Sequence, residues 1–302
     1  MIHRMRTWVA LFAASIVAVA ACGARTGLRF DETRAEPVDA GIDVPVKPDV
    51  VVPDCVDAGI SYIYLISSEN ELLRFYPPDL SITTIGTLNC PTLAGGTPFS
   101  MAVNRKGIAY VVFSSGELFR VSTLTATCTA TKFVSNPIVF PAQFGMGFSA
   151  NSADQGETLF IAGTPSDDPG SASRLGILNT DIFAIAIGAP IDQNLGSPEL
   201  TGTGDARLFA FGPGIPDSHL AELDKGSSTV LSDELIDLQL ASISAWAFAF
   251  WGGDFYFFTS EQAGSSVIHR YTPGGPPTPP AVKEINGLTI VGAGVSTCAP
   301  SE

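Results

Sequence analysis

The chain has 302 residues and a formal net charge of −14; 45% of its residues are apolar and 15% are charged. This composition supplies enough apolar side chains for a sizeable core and argues against a largely disordered chain. The negative charge repels phosphate backbones, so we expect no nucleic-acid partner. The 19 Phe, 30 Gly and 22 Pro favour strands joined by many turns.

The N-terminal segment has the pattern of a secretory signal. Arg4 and Arg6 precede an apolar run from Trp8 to Ala21 that ends in small residues. This run is shorter than the ~20 residues that a membrane-spanning helix needs, but it fits the apolar core of a signal peptide. We therefore predict that residues 1–21 are a signal peptide.

Residues 19–22 read VAAC and resemble the lipobox of bacterial lipoproteins. The resemblance implies cleavage before Cys22 and acylation of that cysteine, so that the membrane is a partner through an N-terminal lipid. The alternative is an ordinary secretory signal with an incidental cysteine. Gly23 stands where lipoproteins retained at the inner membrane carry Asp, which favours an outer-membrane destination.

Residues 22–58 differ in composition from the rest of the chain. They combine repeated Pro with scattered Asp and Glu and show no strand or helix period. Such a segment repels itself and stays extended. We interpret it as a lipidated acidic tether, with an acidic protein-binding arm as the alternative, and we assign residues 59–302 to the folded domain.

One strand pattern recurs through the domain. Segments such as ELLRFYP and ELFRVST return at spacings of 46 to 56 residues, aligned on Arg74, Arg120, Gly176, Glu222 and Arg270. An apolar strand precedes each copy and another follows it, as ITTIGTL does after the first. A further strand opens four of the units, which gives four strands, A to D, in each. Units of this length with four strands are typical of β-propeller blades.

The two ends of the domain carry complementary fragments. The first unit, from Tyr62, has strands B, C and D without A, whereas LTIVGAGV at 288–295 matches strand A without the others. Together they predict a fifth blade. The expected fold is therefore an all-β five-bladed β-propeller closed by pairing of the C-terminal strand with the N-terminal blade, and separate sandwich domains are the alternative.

Four cysteines remain once Cys22 is acylated, and in an oxidising compartment they permit three pairings. Cys298 follows strand A of the composite blade and Cys55 precedes its strand B, where the other blades have a tight turn. We therefore predict a Cys55–Cys298 disulfide and, by elimination, a Cys90–Cys128 disulfide. The spacing matches no zinc motif.

The sequence contains no nucleophile elbow, phosphate-binding loop or metalloprotease motif, so we assign no catalytic residue, cofactor or metal site. His219 is expected in a B–C loop. The aromatic stretch at 245–259 fits blade packing, with a carbohydrate platform as the alternative. Ligands are expected at the face that carries the B–C and D–A loops, where the candidate residues are Asp167, Asp168, Asp192, Asp217 and Trp251.

The B–C–D pattern YLISSENELLRFYPPDLSITTIGTL resembles the repeats of NHL- and YVTN-type propellers, and with its CGARTGL start the chain resembles a group of Gram-negative lipoproteins. The resemblance brings no catalytic residues. We expect a monomeric, lipid-anchored binding or scaffold module of the cell envelope, with a protein or glycan ligand. The alternative is a propeller enzyme, a lyase or hydrolase, with carboxylates at the channel mouth.

Overall fold

Twenty strands form the domain in the computed structural model, which describes residues 55, 62–93, 95–152, 155–164 and 172–302. They form five four-stranded antiparallel sheets. Cys22 and nearly all of the expected tether lie outside the described residues.

Each sheet is one blade. In blades 2 to 5, strands A to D follow each other in the chain. Blade 2 consists of β4 (Pro98–Val103), β5 (Ile108–Phe113), β6 (Leu118–Ser122) and β7 (Cys128–Ala130). Blade 3 consists of β8 (Gly145–Ser152), β9 (Gln155–Gly163), β10 (Arg174–Leu178) and β11 (Ile185–Pro190). Blade 4 consists of β12 (Glu199–Gly202), β13 (Leu208–Gly212), β14 (Ser218–Leu223) and β15 (Val230–Ile236). Blade 5 consists of β16 (Ala245–Trp251), β17 (Asp254–Ser260), β18 (Ser265–Tyr271) and β19 (Ala281–Asn286).

Blade 1 is the composite blade that the sequence predicts. Its strands are β20 (Ile290–Gly294), β1 (Ile63–Ser67), β2 (Glu71–Tyr76) and β3 (Ser81–Thr87). The C-terminal β20 pairs with β1 in antiparallel register, with Leu65 opposite Ala293. The predicted five-bladed fold and its closure are confirmed.

The innermost strands pack on one another around the ring: β4 contacts β8, and the contacts continue through β12, β16 and β20 back to β4. Glycine permits this close approach. A Cβ at Gly147 would lie 2.7 Å from the carbonyl oxygen of Leu200, and one at Gly292 would lie 2.9 Å from the backbone nitrogen of Met101. The alternation of glycine with apolar residues in the A strands thus reflects backbone-to-backbone packing at the centre of the ring.

The core is divided into five apolar clusters, one between each pair of neighbouring blades. The aromatic stretch at 245–259 supplies the cluster between blades 4 and 5. Phe248 and Phe257 lie there with ring centroids 6.2 Å apart and nearly parallel planes. The expectation of blade packing is therefore confirmed for these rings.

Two disulfides cross-link the domain, and they are the pairings expected from the sequence. Cys55 is bonded to Cys298 with Cα atoms 5.7 Å apart, and Cys90 to Cys128 with Cα atoms 5.2 Å apart. Both separations fall in the usual range for disulfides. Disulfides persist in oxidising compartments, which is consistent with an extracytoplasmic location.

Candidate functional site at the channel mouth

The ring has two faces with different connections. All five innermost strands begin at one face and end at the other, because every blade runs A to D in the same sense. We call the side with the B–C loops and the D–A connections the loop face. The side with the A–B and C–D turns is called the turn face.

A cavity of about 390 Å³ opens on the loop face, where the innermost strands of blades 2, 3 and 4 begin. Such volumes are typical of ligand pockets. The wall is largely apolar because the connection between blades 2 and 3 contributes prolines and the strand starts contribute aromatic rings. Its main residues are Phe99, Pro137, Pro141, Phe144, Pro198 and Glu199.

Glu199 is the only titratable residue among the described residues that line this cavity. It begins β12 and is only 4% exposed. Ser100, on β4 of blade 2, donates a hydrogen bond from Oγ to Glu199 Oε2 over 2.7 Å. This bond joins the innermost strands of blades 2 and 4 across the start of blade 3.

The position of Glu199 depends on a glycine in the neighbouring strand. A Cβ at Gly145, the first residue of β8, would lie 2.7 Å from the Glu199 Cα and 2.2 Å from the Pro198 carbonyl oxygen. Any larger residue at Gly145 would therefore push β12 outward. The backbone of Met146 also hydrogen-bonds the Glu199 carboxyl.

Burial raises the pKa of the Glu199 carboxyl well above its ordinary value, and the hydrogen bonds from Ser100 and the Met146 backbone only partly oppose this. Desolvation disfavours the charged form of a carboxyl when no cation is near. The cavity is therefore lined by a carboxyl that keeps its proton to a higher pH than an exposed glutamate does.

Exposed aliphatic side chains stand on the loop face, and two of them, Ile138 and Val139, lie between Pro137 and Pro141 of the cavity wall. Ile138 is 97% exposed, Val134 is 81% exposed, and Leu93, Val139 and Ile215 are also exposed. Leu93 lies in the connection from blade 1 to blade 2, and Val134, Ile138 and Val139 lie in the connection from blade 2 to blade 3. Both connections meet at the B–C turn of blade 2. The backbone of Leu93 donates to Glu117 on one side of this turn, and Gln143 donates to the Ser114 carbonyl on the other.

The structure describes two of the four acidic candidates from the sequence, Asp192 and Asp217, and neither lines this cavity. Asp167 and Asp168 lie outside the described residues. Asp217 lies exposed in the B–C loop of blade 4. Asp192 lies in a D–A connection, but its Oδ1 accepts a hydrogen bond from the Val230 backbone 2.8 Å away, on the outermost strand of blade 4.

The expected position of Trp251 on the loop face is wrong. This residue ends β16 beside the A–B turn and therefore lies on the turn face, not on the loop face where the ligand candidates were expected. It is partly buried, and its ring meets that of Tyr76 edge-on with centroids 6.3 Å apart. An aromatic residue next to an A–B turn is necessarily on the side opposite the B–C loops.

His219 also differs from expectation. It lies within β14, not in the B–C loop, and pairs with Gly212. Its Nδ1 is 2.8 Å from Asp233 Oδ2, and Gln193 Nε2 is bonded to both groups. The cluster joins the connection after blade 3 to the outer strands of blade 4.

Within the part of the chain that the structure describes, no helix is long and apolar enough to cross a membrane. The same residues contain no group of three or more His, Cys, Asp or Glu side chains placed to hold a metal ion.

Comparisons with known proteins add neither a family nor a function. No protein-family model matches the chain, and no curated protein matches it. Among solved structures, the Dos1 propeller is similar at 10% identity and a TM-score of 0.38, over 72% of this chain and 57% of that one. Kuenenia stuttgartiensis hydrazine synthase is similar at 13% identity and a TM-score of 0.40, over 70% of this chain and 62% of that one. The chain spans less than two thirds of either structure's length, and similarity at this level carries no functional argument.

Proposed function

We propose that this protein is a lipid-anchored binding module of the cell envelope that presents its loop face to a protein ligand. The observation that carries the proposal is the apolar cavity at the channel mouth with exposed aliphatic side chains beside it. In a chain of net charge −14, an apolar surface of this kind is suited to bury against another protein.

A glycan is the less favoured ligand for this face. Sugar-binding surfaces offer exposed aromatic rings and many polar groups, whereas the side chains that project here are aliphatic. The exposed residues Leu93, Val134 and Ile138 would pack well against apolar protein side chains and offer nothing to a sugar hydroxyl.

A propeller enzyme remains the alternative function. General acid–base chemistry uses two groups with different proton affinities. The cavity supplies one carboxyl with a raised pKa, Glu199, and no second titratable group among the described residues that line it. This arrangement supports binding over catalysis.

Two substitutions test the loop face. Ile138→Asp places a charge on the most exposed aliphatic side chain, and Leu231→Asp places the same charge on the outer strand β15, where Leu231 is also exposed. Both proteins are cross-linked in envelope extracts and their thermal unfolding is measured. We expect a stoichiometric protein adduct that Ile138→Asp abolishes and Leu231→Asp retains, with both variants folded. An adduct that survives Ile138→Asp, or none with the unaltered chain, would refute the loop-face proposal.

The lipid anchor has its own test. Cys22→Ser removes the sulfur to which the proposed acyl chain attaches, so the variant should lose labelling by radioactive palmitate and leave the membrane fraction. Cys90→Ser, which removes a cysteine of the folded domain, is the control and should keep the label. Undiminished labelling of Cys22→Ser would contradict the anchor.

A further inference from the structure

A second and larger cavity, of about 720 Å³, lies on the turn face between blades 1 and 2. We call it the turn-face groove. The Cys55–Cys298 disulfide forms part of its wall, so the groove lies where the ring is closed. It shares no lining residue with the loop-face cavity, so a ligand at the groove is independent of the proposed loop-face function.

Blade 1 contributes a row of side chains to the groove. Tyr64, Arg74 and Thr83 are directly opposite one another on β1, β2 and β3, so their side chains project from the same side of the sheet. Tyr62 lies two residues before Tyr64 and lines the same groove. The Arg74 guanidinium carbon lies 4.8 Å from the centre of the Tyr62 ring, which holds this cation at the groove wall.

Blade 2 contributes two more cations from its A–B turn, Arg105 and Lys106. Arg105 Nε donates to Thr297 Oγ1 over 2.7 Å, a contact that ties this turn to the segment following β20. Glu157 accepts hydrogen bonds from the Arg105 backbone and from Thr297 Oγ1, which fixes the turn further. Lys106 is exposed.

The charge of the groove contrasts with that of the chain. Among the described residues that line it, three are Lys or Arg and none is Asp or Glu, although the chain has 30 acidic and 16 basic residues. Elsewhere in the described part, Arg207 and Arg270 form salt bridges with Glu222 and Asp254. None of the salt bridges among the described residues includes a cation of the groove.

The remaining polar lining consists of hydroxyl groups. They come from Thr83, Thr84, Ser122, Thr123 and Ser296, in addition to the two tyrosines. Hydroxyl side chains donate and accept hydrogen bonds, as the hydroxyls of a sugar do. The volume exceeds what a single inorganic anion fills and is typical of a site for an organic ligand.

We propose that the turn-face groove binds an acidic saccharide, a sugar chain that carries carboxylate groups. Arg74, Arg105 and Lys106 come from two blades and would bind more than one carboxylate, and the hydroxyl side chains would bind the sugar hydroxyls between them. The negative surface elsewhere on the chain would repel such a ligand from any other position.

The test titrates the full chain with tetragalacturonate by calorimetry, using the fully methyl-esterified tetramer as an uncharged probe of the same sugar. We expect the acid to bind and the ester to bind at least about tenfold more weakly, and we expect affinity to fall as salt is raised. Arg74→Gln and Lys106→Gln should each weaken binding about fivefold or more. Lys132→Gln, a lysine outside the groove, should change it less than about twofold.

Several outcomes would overturn the proposal. The acid and the ester could bind equally well, or Lys132→Gln could weaken binding as much as Arg74→Gln and Lys106→Gln do. Calorimetry could also detect no heat of binding at millimolar tetramer. Inorganic phosphate is added as a competitor, because displacement at concentrations equal to the tetramer would make the groove a simple anion site and not a saccharide site. Thermal unfolding of each variant confirms that the fold is retained, and Lys106→Gln, on an exposed turn, preserves the test if Arg74→Gln fails to fold.

Discussion

The loop face and the turn face are built from the same repeated unit but differ in chemistry. The loop face has a cavity at which the structure describes one titratable residue, a carboxyl with a raised pKa, beside exposed aliphatic side chains. The turn face has a groove whose described lining contains three cations and no carboxylate. Strand pattern determines the blades, while loops and turns vary freely, so a propeller can present two unrelated surfaces.

The two faces also differ in how they are held together. The turn face contains the closing disulfide and the A–B turns, of which the one in blade 2 is tied to the C-terminal segment. The loop face is held at the channel mouth by the Ser100–Glu199 hydrogen bond and by tight backbone packing at Gly145 and Gly147. Substitutions at one face should therefore alter the contacts of that face and leave those of the other face in place.

Breaking the Cys55–Cys298 disulfide should lower the unfolding free energy more than any other change, and it should loosen mainly the turn face. The bond spans 243 residues, so the Cys55→Ser/Cys298→Ser variant should lose up to about 5 kcal/mol of unfolding free energy by the chain-entropy model. Denaturant titration measures the loss, and hydrogen exchange should rise first in β20 and β1.

The control for this prediction is the Cys90→Ser/Cys128→Ser variant. Its disulfide spans 38 residues, so the expected loss is at most about 4 kcal/mol, without early exchange in β20. Unchanged exchange in β20 and β1 after removal of the longer bond would show that strand pairing alone closes the ring.

Substituting Gly147 should weaken the packing near the loop face. The added Cβ of Gly147→Ala would lie 2.7 Å from the Leu200 carbonyl oxygen, a backbone atom that cannot move without shifting β12. We expect a loss of about 1 to 3 kcal/mol in unfolding free energy and weaker binding at the loop-face cavity. Gly156→Ala is the control, because a Cβ there would meet its nearest neighbour at 3.6 Å. Equal stability of the two variants would contradict the tight packing.

Substituting Glu199 should produce a smaller, pH-dependent effect at the loop face. Because its pKa is raised in the folded state, its protonated form adds stability below the unfolded pKa, and this stability is lost as pH rises through the folded pKa. Glu199→Gln keeps the shape of the neutral form and cannot ionise. The variant should match the unaltered protein near pH 4 and exceed its stability at pH 9.

Thermal unfolding across this pH range measures the difference. Glu284→Gln, on an exposed position of β19, is the control. If the Glu199→Gln and unaltered curves stay parallel from pH 4 to 9, burial does not raise the pKa of the Glu199 carboxyl.

The repeat made the blades predictable from sequence. The aligned C strands and the complementary end fragments define four strands per blade and the closing pair β20–β1, because strand patterns are local and repeat. The Cys55–Cys298 disulfide followed from the same alignment. His219 was misplaced because β14 begins one residue earlier, at Ser218.

The surfaces were harder to predict, because they are assembled from distant positions. Glu199 was not singled out, although a carboxylate at the start of an innermost strand is itself an unusual signal. The turn-face groove joins residues as far apart as Tyr62 and Ser296, a combination that no local spacing reveals. Trp251 was selected for its aromatic character without regard to which turn it adjoins.

The bond between Cys55 and Cys298 also makes the domain a covalent circle. A protease that cuts one peptide bond anywhere between these two residues leaves fragments that stay joined, and the fragments separate only when the disulfide is reduced. The B–C loops of the loop face can therefore be cut without releasing a blade. In an extracytoplasmic setting rich in proteases, this circle would let a damaged propeller persist as one molecule.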